Sequence, residues 1–458
     1  MNSPHTTSLS WSPTNAYNYN PNNGNINNNT KTNNNYARCV RFEKENALSL
    51  FSFENIFNSY IDCRKSKRST INALRFEENL EANLRELYSA LNNKTYELRR
   101  SVCFTVLEPK PREIFAADFR DRIIHHLIVN ALEKLFEQCF IDESFACRKN
   151  KGTHKAVRCL QHFTRQLSSD HVGKKKTYFL QLDISNFFMS IDKQILFSIV
   201  EEKIKQNDLW NETFKQDLAW ICKKAIFHDP ASNFFQKSPE WIRESVPKHK
   251  SLIFVEKGKG LPIGNQTSQF FANVYLNELD YFVKSVLGCN HYVRYVDDFI
   301  LMSNNKDELM DWFWDIRDFL QEKLLLRLNP KVTLLPLNNG IDFLGYIVRP
   351  WSIYIRRRVL VNFKHRLVLA DSKLLEKKTF FFEKNSTERK HFQATFASYC
   401  GHFKHADSFR LKQGIMTEFA FTKLCFCAKK PDSLRCKLAL SKKEQNFFIF
   451  RKTSSSIG

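Results

Sequence analysis

The sequence lacks long apolar runs, secretion signals and Cys-x-x-Cys pairs. No stretch approaches the roughly 18 consecutive apolar residues that a membrane-spanning helix requires, and the polar N-terminus contains no apolar signal segment. The 12 cysteines are scattered without a Cys-x-x-Cys pair, so the spacing of zinc sites is missing. Free thiols at this density indicate a reducing compartment. These absences predict a cytoplasmic protein without a membrane partner.

Acidic residues are few in relation to basic ones. The 458-residue chain has 48 Asp and Glu against 70 Lys and Arg, which gives a net charge of +22 and a pI of about 9.4. This excess of positive charge favours a polyanionic partner, most simply nucleic acid, over a merely soluble basic protein. The chain length and a hydrophobic content of 43% predict a globular protein of roughly two or three domains.

The spacing of apolar residues predicts mixed α and β structure. Residues 1–37 are rich in Asn and almost free of aliphatic side chains, which predicts a disordered tail. Strands are expected within 95–117 and at TYFLQLDISNFF. Helices are expected at roughly 45–93, 118–135, 193–225 and 306–324. The predicted fold class is α+β, in which strands distant in sequence share one sheet and helices pack on one of its faces.

Three aspartates stand out because their neighbours are apolar. Asp183 ends an apolar strand, and Asp297 and Asp298 stand side by side in the β-patterned segment HYVRYVDDFI. Adjacent strands of one sheet would bring Asp183 next to the pair. Buried carboxylates are costly unless a cation satisfies them, and carboxylate oxygens are ligands that Mg²⁺ takes. Aspartates of surface turns are the alternative, which fits poorly because both flanks of the pair are apolar. The sequence therefore predicts a site for two Mg²⁺ ions.

The motifs of the chain, in their order, resemble those of reverse transcriptases. YVDD resembles the Tyr-x-Asp-Asp motif of that family, and YFLQLDISNFFMSID resembles its first carboxylate motif. The fingers region of the family is resembled by EPKPREIFAADFRDRIIHH and SFACRKNKGTHKAV. Its palm motifs are resembled by GLPIGNQTSQFFANVYLNELD, LNPKVT and IDFLGY, and a thumb motif is resembled by SYCGHFKHADS. This resemblance covers residues from about 50 to 420. It implies a right-hand polymerase fold and RNA-directed DNA synthesis from dNTPs.

The resemblance implies functions for single residues at the site of synthesis. Asp183 and Asp297 would ligate the two Mg²⁺ ions, with Asp298 completing the acidic cluster and Ile184 as a further ligand. Phe188 falls where the family keeps an aromatic gate that excludes a 2′-OH, although an ordinary core Phe is the alternative. Lys331 is the candidate for protonating the pyrophosphate. The implied nucleotide-binding residues are Lys110, Arg112, Phe188, Gly264 and Gln269.

Basic residues outside this site are candidates for contacts with nucleic acid. Several lie in the loop FACRKNKGTHKA, where Gly152 and the loop setting favour a phosphate contact as much as a solvated charged surface. Others lie in the helix after Asp118, in the thumb motif and in the cluster Arg356–Arg357–Arg358. The predicted nucleic-acid-binding residues are Arg120, Arg148, Lys149, Lys151, Gly345, His402 and Lys404.

One motif departs from the common family pattern. Ile263 and Gly264, followed by Ser268 and Gln269, stand where many reverse transcriptases have Gln-Gly. This pattern is similar to the reverse transcriptases of diversity-generating retroelements and their bacterial defence-associated relatives. Because Ile lacks the amide that Gln would offer for hydrogen bonding, we expect the templating pair to be held less firmly.

The predicted domains follow the order of the motifs. They are a tail at 1–37, helices and fingers at 38–182, a palm at 183–350 with an insertion near 200–258, a thumb with a helical region at 351–452, and a tail at 453–458. The predicted function is RNA-directed DNA synthesis on a dedicated non-coding RNA in antiphage defence. The alternatives are retroelement mutagenesis, template-independent or protein-primed DNA synthesis, and a catalytically silent RNA-binding scaffold. The expected partners are the RNA template, dNTPs, the DNA product and an accessory protein or a second copy of the chain.

Overall fold

The structure is a computed structural model, and it describes residues 15–20, 25–30, 49–65, 67, 70–108, 110–169, 176–376 and 387–419. The strands are β1 (Asn15–Asn20), β2 (Asn25–Thr30), β3 (Ser101–Val106), β4 (Arg112–Ala116), β5 (Tyr178–Asp183), β6 (Phe234–Gln236), β7 (Tyr292–Tyr295), β8 (Asp298–Ser303), β9 (Thr333–Pro336), β10 (Ile341–Phe343), β11 (Tyr346–Val348) and β12 (Ile353–Ile355). The α-helices are α1 (Phe53–Arg64), α2 (Ile71–Glu78), α3 (Leu80–Asn92), α4 (Phe119–Glu137), α5 (Thr153–Ser169), α6 (Phe187–Ser190), α7 (Lys193–Lys205), α8 (Glu212–Phe227), α9 (Glu240–Arg243), α10 (Gln266–Tyr281), α11 (Lys306–Lys323), α12 (Arg357–Glu376), α13 (Thr387–Phe403) and α14 (Phe409–Glu418). Short 3₁₀ turns lie at Lys248–Lys250, Leu252–Phe254 and Leu337–Asn339, and a π-helical turn lies at Phe282–Val286.

The predicted disordered tail, residues 1–37, lies for the most part outside the described residues. Within it, β1 and β2 pair antiparallel and form a sheet of their own. Such a pair is built from main-chain hydrogen bonds, which do not require aliphatic side chains. The predicted tail at 453–458 also lies outside the described part of the chain, and the predicted domain boundaries stay predictions.

A four-stranded sheet forms the centre of the fold. Its strand order is β7-β8-β5-β9, and every neighbouring pair is antiparallel. The prediction that strands distant in sequence share a sheet is confirmed. The sheet carries Asp183 and Asp298 at the ends of adjacent strands.

Both faces of the central sheet are covered, so the prediction of helices on one face was wrong. On one face, Leu180 and Leu301 pack into a large core with the apolar sides of α4, α7, α8, α10 and α11. On the other face, Phe179 and Ile300 pack against α5 and the small sheet β10-β11-β12. The reason is visible in β8, in which residues 299–303 are all buried; such a strand has apolar side chains on both sides.

A hairpin and a long helix precede the central sheet, as predicted. Strands β3 and β4 pair antiparallel around the basic turn, and α4 begins directly after Asp118. The carboxylate of Asp118 caps the helix by accepting a hydrogen bond from the main-chain N–H of Arg120 at 3.0 Å. Strand β6, which belongs to the predicted insertion near 200–258, adds to the hairpin by pairing parallel with β3.

The C-terminal helices form a separate small core. Helices α12, α13 and α14 bury Phe363, Leu367, Phe396, Phe403 and Ile415 among themselves. The prediction of a helical region after residue 355 is confirmed for the described residues. No described helix combines the length and the apolar character that crossing a membrane would require.

Candidate active site

The three predicted aspartates lie together at one end of the central sheet. Asp183 is the last residue of β5 and Asp298 the first of β8, and the two are direct partners in the antiparallel ladder. Asp297 precedes β8, and its main-chain carbonyl accepts a hydrogen bond from the N–H of Ile184 at 3.3 Å. The predicted proximity of Asp183 to the aspartate pair is therefore confirmed, and it follows from the register of β5 and β8.

Burial and mutual repulsion oppose ionisation of these carboxyl groups. Desolvation, followed by the charge of Asp183, raises the pKa of Asp297 to about 6. Desolvation raises the pKa of Asp298 to about 7, and the charges of Asp183 and Asp297 add to the rise. Burial also raises the pKa of Asp183. A bound cation would favour the charged forms of all three groups.

Two amide side chains that the sequence analysis missed hold the acids in place. Gln181 donates a hydrogen bond through Nε2 to Oδ1 of Asp298 at 3.0 Å. Asn329 donates through Nδ2 to Oδ2 of Asp183 at 3.2 Å, and its main-chain N–H donates to the Asp183 carbonyl at 2.7 Å. Gln181 could have been found from its place two residues before Asp183, because alternate residues of a strand share a face.

A buried arginine that the sequence analysis also missed fixes the turn before Asp297. Arg294 is fully buried and donates two hydrogen bonds to Asp280, from Nε to Oδ1 at 2.7 Å and from Nη2 to Oδ2 at 2.5 Å. Its Nη1 donates to the carbonyl of Val296 at 3.0 Å. Val296 has a φ of +59°, which is costly for a β-branched residue, so this contact stabilises a strained turn.

The donor set of the site fits Mg²⁺. Carboxylate oxygens from Asp183, Asp297 and Asp298 are the ligands that this ion prefers, and it is ordinarily held by one or two carboxylates together with substrate phosphates and water. In the described residues, no group of three or more Asp, Glu, His or Cys side chains is by itself arranged to hold a metal ion, so substrate phosphates and water would have to complete the coordination of Mg²⁺ here. The side chain of Ile184 is buried and apolar, so only its main-chain carbonyl is available as the predicted ligand.

The two predicted nucleotide-binding cations influence the ionisation of the aspartates. Lys110 and Arg112 are both exposed, at the turn between β3 and β4 and at the start of β4. Burial raises the pKa of Asp183, and the positive charge of Lys110 is one of the influences that oppose this rise. Burial likewise raises the pKa of Asp297, and Arg112 opposes that rise. The hairpin therefore presents two cations to the acidic cluster.

The predicted gate and the glycine loop line the same region. Phe188 is half-buried, with its ring centroid 5.5 Å from that of Phe187. Gly264 has a φ of +122°, and a Cβ at this position would lie 3.1 Å from the Phe115 carbonyl oxygen. The Phe115 N–H donates to the carbonyl of Ile263 at 2.9 Å, so the loop lies directly on β4. A side chain at position 264 would be strained and would push the loop away from the hairpin.

Lys331 and Gln269, two other predicted residues, are both exposed. Lys331 is exposed, and its main-chain N–H donates to Oδ1 of Asn329 at 3.1 Å, two residues from the side chain that binds Asp183. Gln269 is exposed on α10 and lines a cavity of about 260 Å³ together with Arg122 and His126. None of the residues that line this cavity is one of the three aspartates.

Two arginines predicted to contact nucleic acid are buried instead. Arg120 is only 7% exposed, donates to the Glu97 carbonyl at 3.2 Å and lies over the ring of Tyr96. The side chain of Arg148 is 4% exposed, and it donates to the Ser144 carbonyl at 2.8 Å and to Glu137 Oε1 at 2.7 Å. Buried guanidinium groups with protein partners are not available to phosphate, so both predictions are corrected to structural roles.

The other predicted nucleic-acid contacts remain accessible in different degrees. Lys149 is 77% exposed and pairs with Glu133, whereas Lys151 is 19% exposed and pairs with Asp142. Lys404 is exposed at the end of α13. His402 stacks on the ring of Tyr346, with centroids 4.1 Å apart, and lies where a side chain at Gly345 would project. Gly345 and His402 thus form a junction between β11 and α13.

Comparison with known proteins assigns the family. The family described as reverse transcriptase (RNA-dependent DNA polymerase) matches residues 108–348, more than half of the chain. The chain therefore belongs to the reverse transcriptase family. The matched region contains the three aspartates, Lys110 and Arg112, and the segment between α8 and α10.

Individual relatives are distant. The chain is 24% identical to Protein YkfC of Escherichia coli over 286 residues, covering 55% of this chain and 67% of that protein. It is 23% identical to the group II intron-encoded protein LtrA of Lactococcus lactis over 324 residues, covering 59% of this chain and 50% of LtrA. Among solved structures, telomerase from Candida albicans in complex with a fragment of telomeric RNA has a TM-score of 0.45 at 11% identity, covering 83% of this chain and 69% of that chain. The chain thus spans between half and two thirds of the length of these two curated relatives.

Proposed function

We propose that this protein is an RNA-directed DNA polymerase in which a 3′-OH attacks the α-phosphate of a dNTP. The observation that carries the proposal is the pairing of Asp183 with Asp298, beside Asp297, at one end of the central sheet. The positive charges of Lys110 and Arg112 favour the ionised forms of Asp183 and Asp297 there. Anionic side chains that hold metal and cations that hold a triphosphate are the two requirements of phosphoryl transfer to a hydroxyl.

Asp183, Asp297, Asp298 and the carbonyl of Ile184 would hold two Mg²⁺ ions. When bound, the ions activate the attacking hydroxyl and stabilise the charge of the leaving pyrophosphate. Gln181 and Asn329 orient the carboxylates, because each donates a hydrogen bond to one of them.

The remaining residues of the site position the nucleotide. Lys110 and Arg112 bind the triphosphate, and their exposure leaves them free to close on it from the hairpin. Phe188 forms the wall beneath the sugar. Lys331 provides a proton to the departing pyrophosphate from its place beside Asn329.

The proposal is tested by adding labelled dNTPs and Mg²⁺ to purified protein with its co-purifying RNA. We expect labelled DNA whose synthesis is lost when the RNA is digested beforehand. DNA synthesis that persists after digestion would support template-independent or protein-primed polymerisation instead. Retained RNA binding without any incorporation would support a silent scaffold.

Phe188→Ala should admit ribonucleotides. The aromatic wall would be gone, so discrimination against rNTPs should fall by about tenfold or more, equivalent to about 1.4 kcal/mol, with little loss of dNTP use. Phe188→Tyr keeps the ring and is the matched control. The measurement is kcat/KM for dNTPs and rNTPs. If both variants discriminate as the wild type does, Phe188 is core packing.

The basic surface should show its RNA contacts in the salt dependence of binding. Lys149→Ala and Arg357→Ala should each reduce the slope of log affinity against log salt by roughly one unit or less, because each phosphate contact releases a counterion. Lys205→Ala is the control, since Lys205 is also exposed and paired with a glutamate. RNA-binding isotherms at several salt concentrations give the slopes. Slopes equal to the wild-type slope in both test variants would place the RNA elsewhere.

We further propose that this synthesis uses a dedicated non-coding RNA and serves defence against phages. The pattern Ile263-Gly264 with Ser268-Gln269 is similar both to diversity-generating retroelement enzymes and to their defence-associated relatives, and the Asn-rich N-terminal segment favours defence between the two. Retroelement diversification is the competing role. A template and variable repeat pair beside the gene would favour diversification, whereas a lone non-coding RNA or a defence partner would favour the proposal.

A further inference from the structure

Helix α5 carries a basic stripe on its exposed side. The helix contains no Asp or Glu among its 17 residues. Its exposed basic side chains are Lys155, Arg158, His162 and Arg165. They follow one another at spacings of three, four and three residues, which places them on one face of the helix. At the rise of an α-helix, this stripe is about 15 Å long.

An exposed aromatic ring lies at the C-terminal end of the stripe. The turn between β11 and β12 carries Trp351, whose side chain is 72% exposed. Arg165 fixes this turn, because its Nε donates to the Pro350 carbonyl at 2.6 Å and its guanidinium carbon lies 5.6 Å from the centre of the Trp351 ring. Gln161 Nε2 also donates to the carbonyl of Arg349 at 3.4 Å. The ring is therefore held beside the helix, with most of its surface open to solvent.

Positive charge continues beyond α5 at both ends of the stripe. Residues 349–358, RPWSIYIRRR, contain four arginines and no acid, and only Arg356 of these pairs with an acid of the described residues, Asp342. At the other end, Arg158 contacts the turn after α13, in which Lys404 is exposed. Cations that meet phosphates and an aromatic ring on which a base stacks are the two features that bind unpaired nucleic acid.

The aromatic end of this surface is remote from the acidic cluster. The Leu167 carbonyl, near the end of α5, accepts a hydrogen bond from the Thr177 hydroxyl at 3.4 Å, and Thr177 directly precedes β5. Asp183 is the last residue of that strand, which has 6 residues. From its first residue to its last, a strand of this length spans about 17 Å. A nucleotide on Trp351 would therefore not occupy the site of phosphoryl transfer.

We propose that α5 and the turn after β11 form a second RNA-binding surface, which holds an unpaired segment of the RNA that the enzyme uses. Its residues are Lys155, Arg158, Arg165, Arg349 and Trp351, and we call it the α5 surface. This inference rests on the proposed function, because that function supplies the RNA. One base stacks on the Trp351 ring, and the cations contact phosphates on either side of it. Unpaired RNA fits better than a duplex, in which the bases are already stacked on one another.

The test measures how tightly the full-length protein, freed of co-purifying RNA, binds a labelled oligo(U) of about 16 nucleotides. The variants are Trp351→Ala, Trp351→Phe and Arg158→Ala. Trp241→Ala is the matched control for the ring, since Trp241 of α9 is 71% exposed. Arg317→Ala is the control for charge, since it removes a 44% exposed arginine from the acid-rich helix α11. Oligo(dT) and a blunt RNA duplex of the same length are measured on the same samples.

We expect Trp351→Ala to weaken oligo(U) binding by about tenfold, as for the loss of one stacked base, and Trp351→Phe to retain most of the affinity. Arg158→Ala should reduce the slope of log affinity against log salt by about 0.7, the value for one phosphate contact to a single strand. Both controls should bind oligo(U) as the wild type does. Binding of the RNA duplex should change less than binding of oligo(U) in Trp351→Ala.

Four results would overturn the inference: unchanged oligo(U) binding in Trp351→Ala, an equal loss in Trp241→Ala, an equal loss of duplex binding, or a loss confined to oligo(dT), which would assign the surface to the DNA product. Unchanged oligo(U) binding together with normal dNTP incorporation would remove the α5 surface and leave the proposed function standing. Oligo(U) binding that depends on Trp351 in a protein that incorporates no dNTP would confirm the α5 surface and remove the proposed function.

Discussion

Asp297→Ala combined with Asp298→Ala should reduce dNTP incorporation at least about a thousandfold, equivalent to about 4 kcal/mol of transition-state stabilisation. Asp298 lies opposite Asp183 in the sheet register and Asp297 directly precedes it, so the variant removes two of the three carboxylates of the proposed metal site. Incorporation of labelled dNTPs measures the loss. Asp311→Ala combined with Asp315→Ala, two exposed acids of α11, is the matched control and should retain wild-type activity.

The same variant should remain folded and should bind RNA. Burial raises the pKa of Asp297 to about 6 and that of Asp298 to about 7, above the usual range of an aspartate in an unfolded chain. Ionisation of these groups therefore costs folding free energy above pH 7, and the cost decreases progressively as pH falls from those pKa values to the unfolded value of about 4. At pH 8 without metal, the midpoint of unfolding should be equal to or higher than that of the wild type.

Residual incorporation within tenfold of wild type would contradict the assignment of the site.

Asp280→Ala should destabilise the protein by about 3–5 kcal/mol, because it leaves the charge of Arg294 buried without a partner. Both side chains of this pair are fully buried, and Tyr292 also donates to Asp280 at 2.9 Å. Arg294→Met should lower the free energy of unfolding by a similar amount, since it leaves the buried Asp280 carboxylate without its charged partner. Chemical denaturation of each variant measures the change.

Replacing both partners separates stability from positioning. Asp280→Leu combined with Arg294→Met removes both charges, so most of the lost stability should return. Incorporation should nevertheless stay low, because the carbonyl of Val296 has lost the donor that holds its turn. A loss below about 1 kcal/mol in the single variants, or full activity in the double variant, would show that this pair does not position Asp297.

The fold was predictable from the sequence to the extent that local patterns specify it. Asp118 precedes an apolar helical stripe, and α4 begins directly after it. The turn between β3 and β4 was visible in the basic, proline-containing segment EPKPRE. The coverage of both sheet faces was not predicted, because the sequence of an apolar strand does not indicate which elements pack on each face of the sheet.

The sequence by itself determined the acidic cluster and the family, because Asp183, Asp297 and Asp298 lie within motifs whose residue types and order carry the chemistry. It did not determine which basic side chains are accessible. Arg148 and Lys149 are neighbours in one basic stretch, yet the side chain of Arg148 is 4% exposed and pairs with Glu137, whereas that of Lys149 is 77% exposed. Only the tertiary structure made that distinction. Burial and ion pairing depend on residues that are far apart in the sequence. The hydrogen bond from the Ser251 hydroxyl to the Glu113 carboxylate, for example, joins residues 138 positions apart.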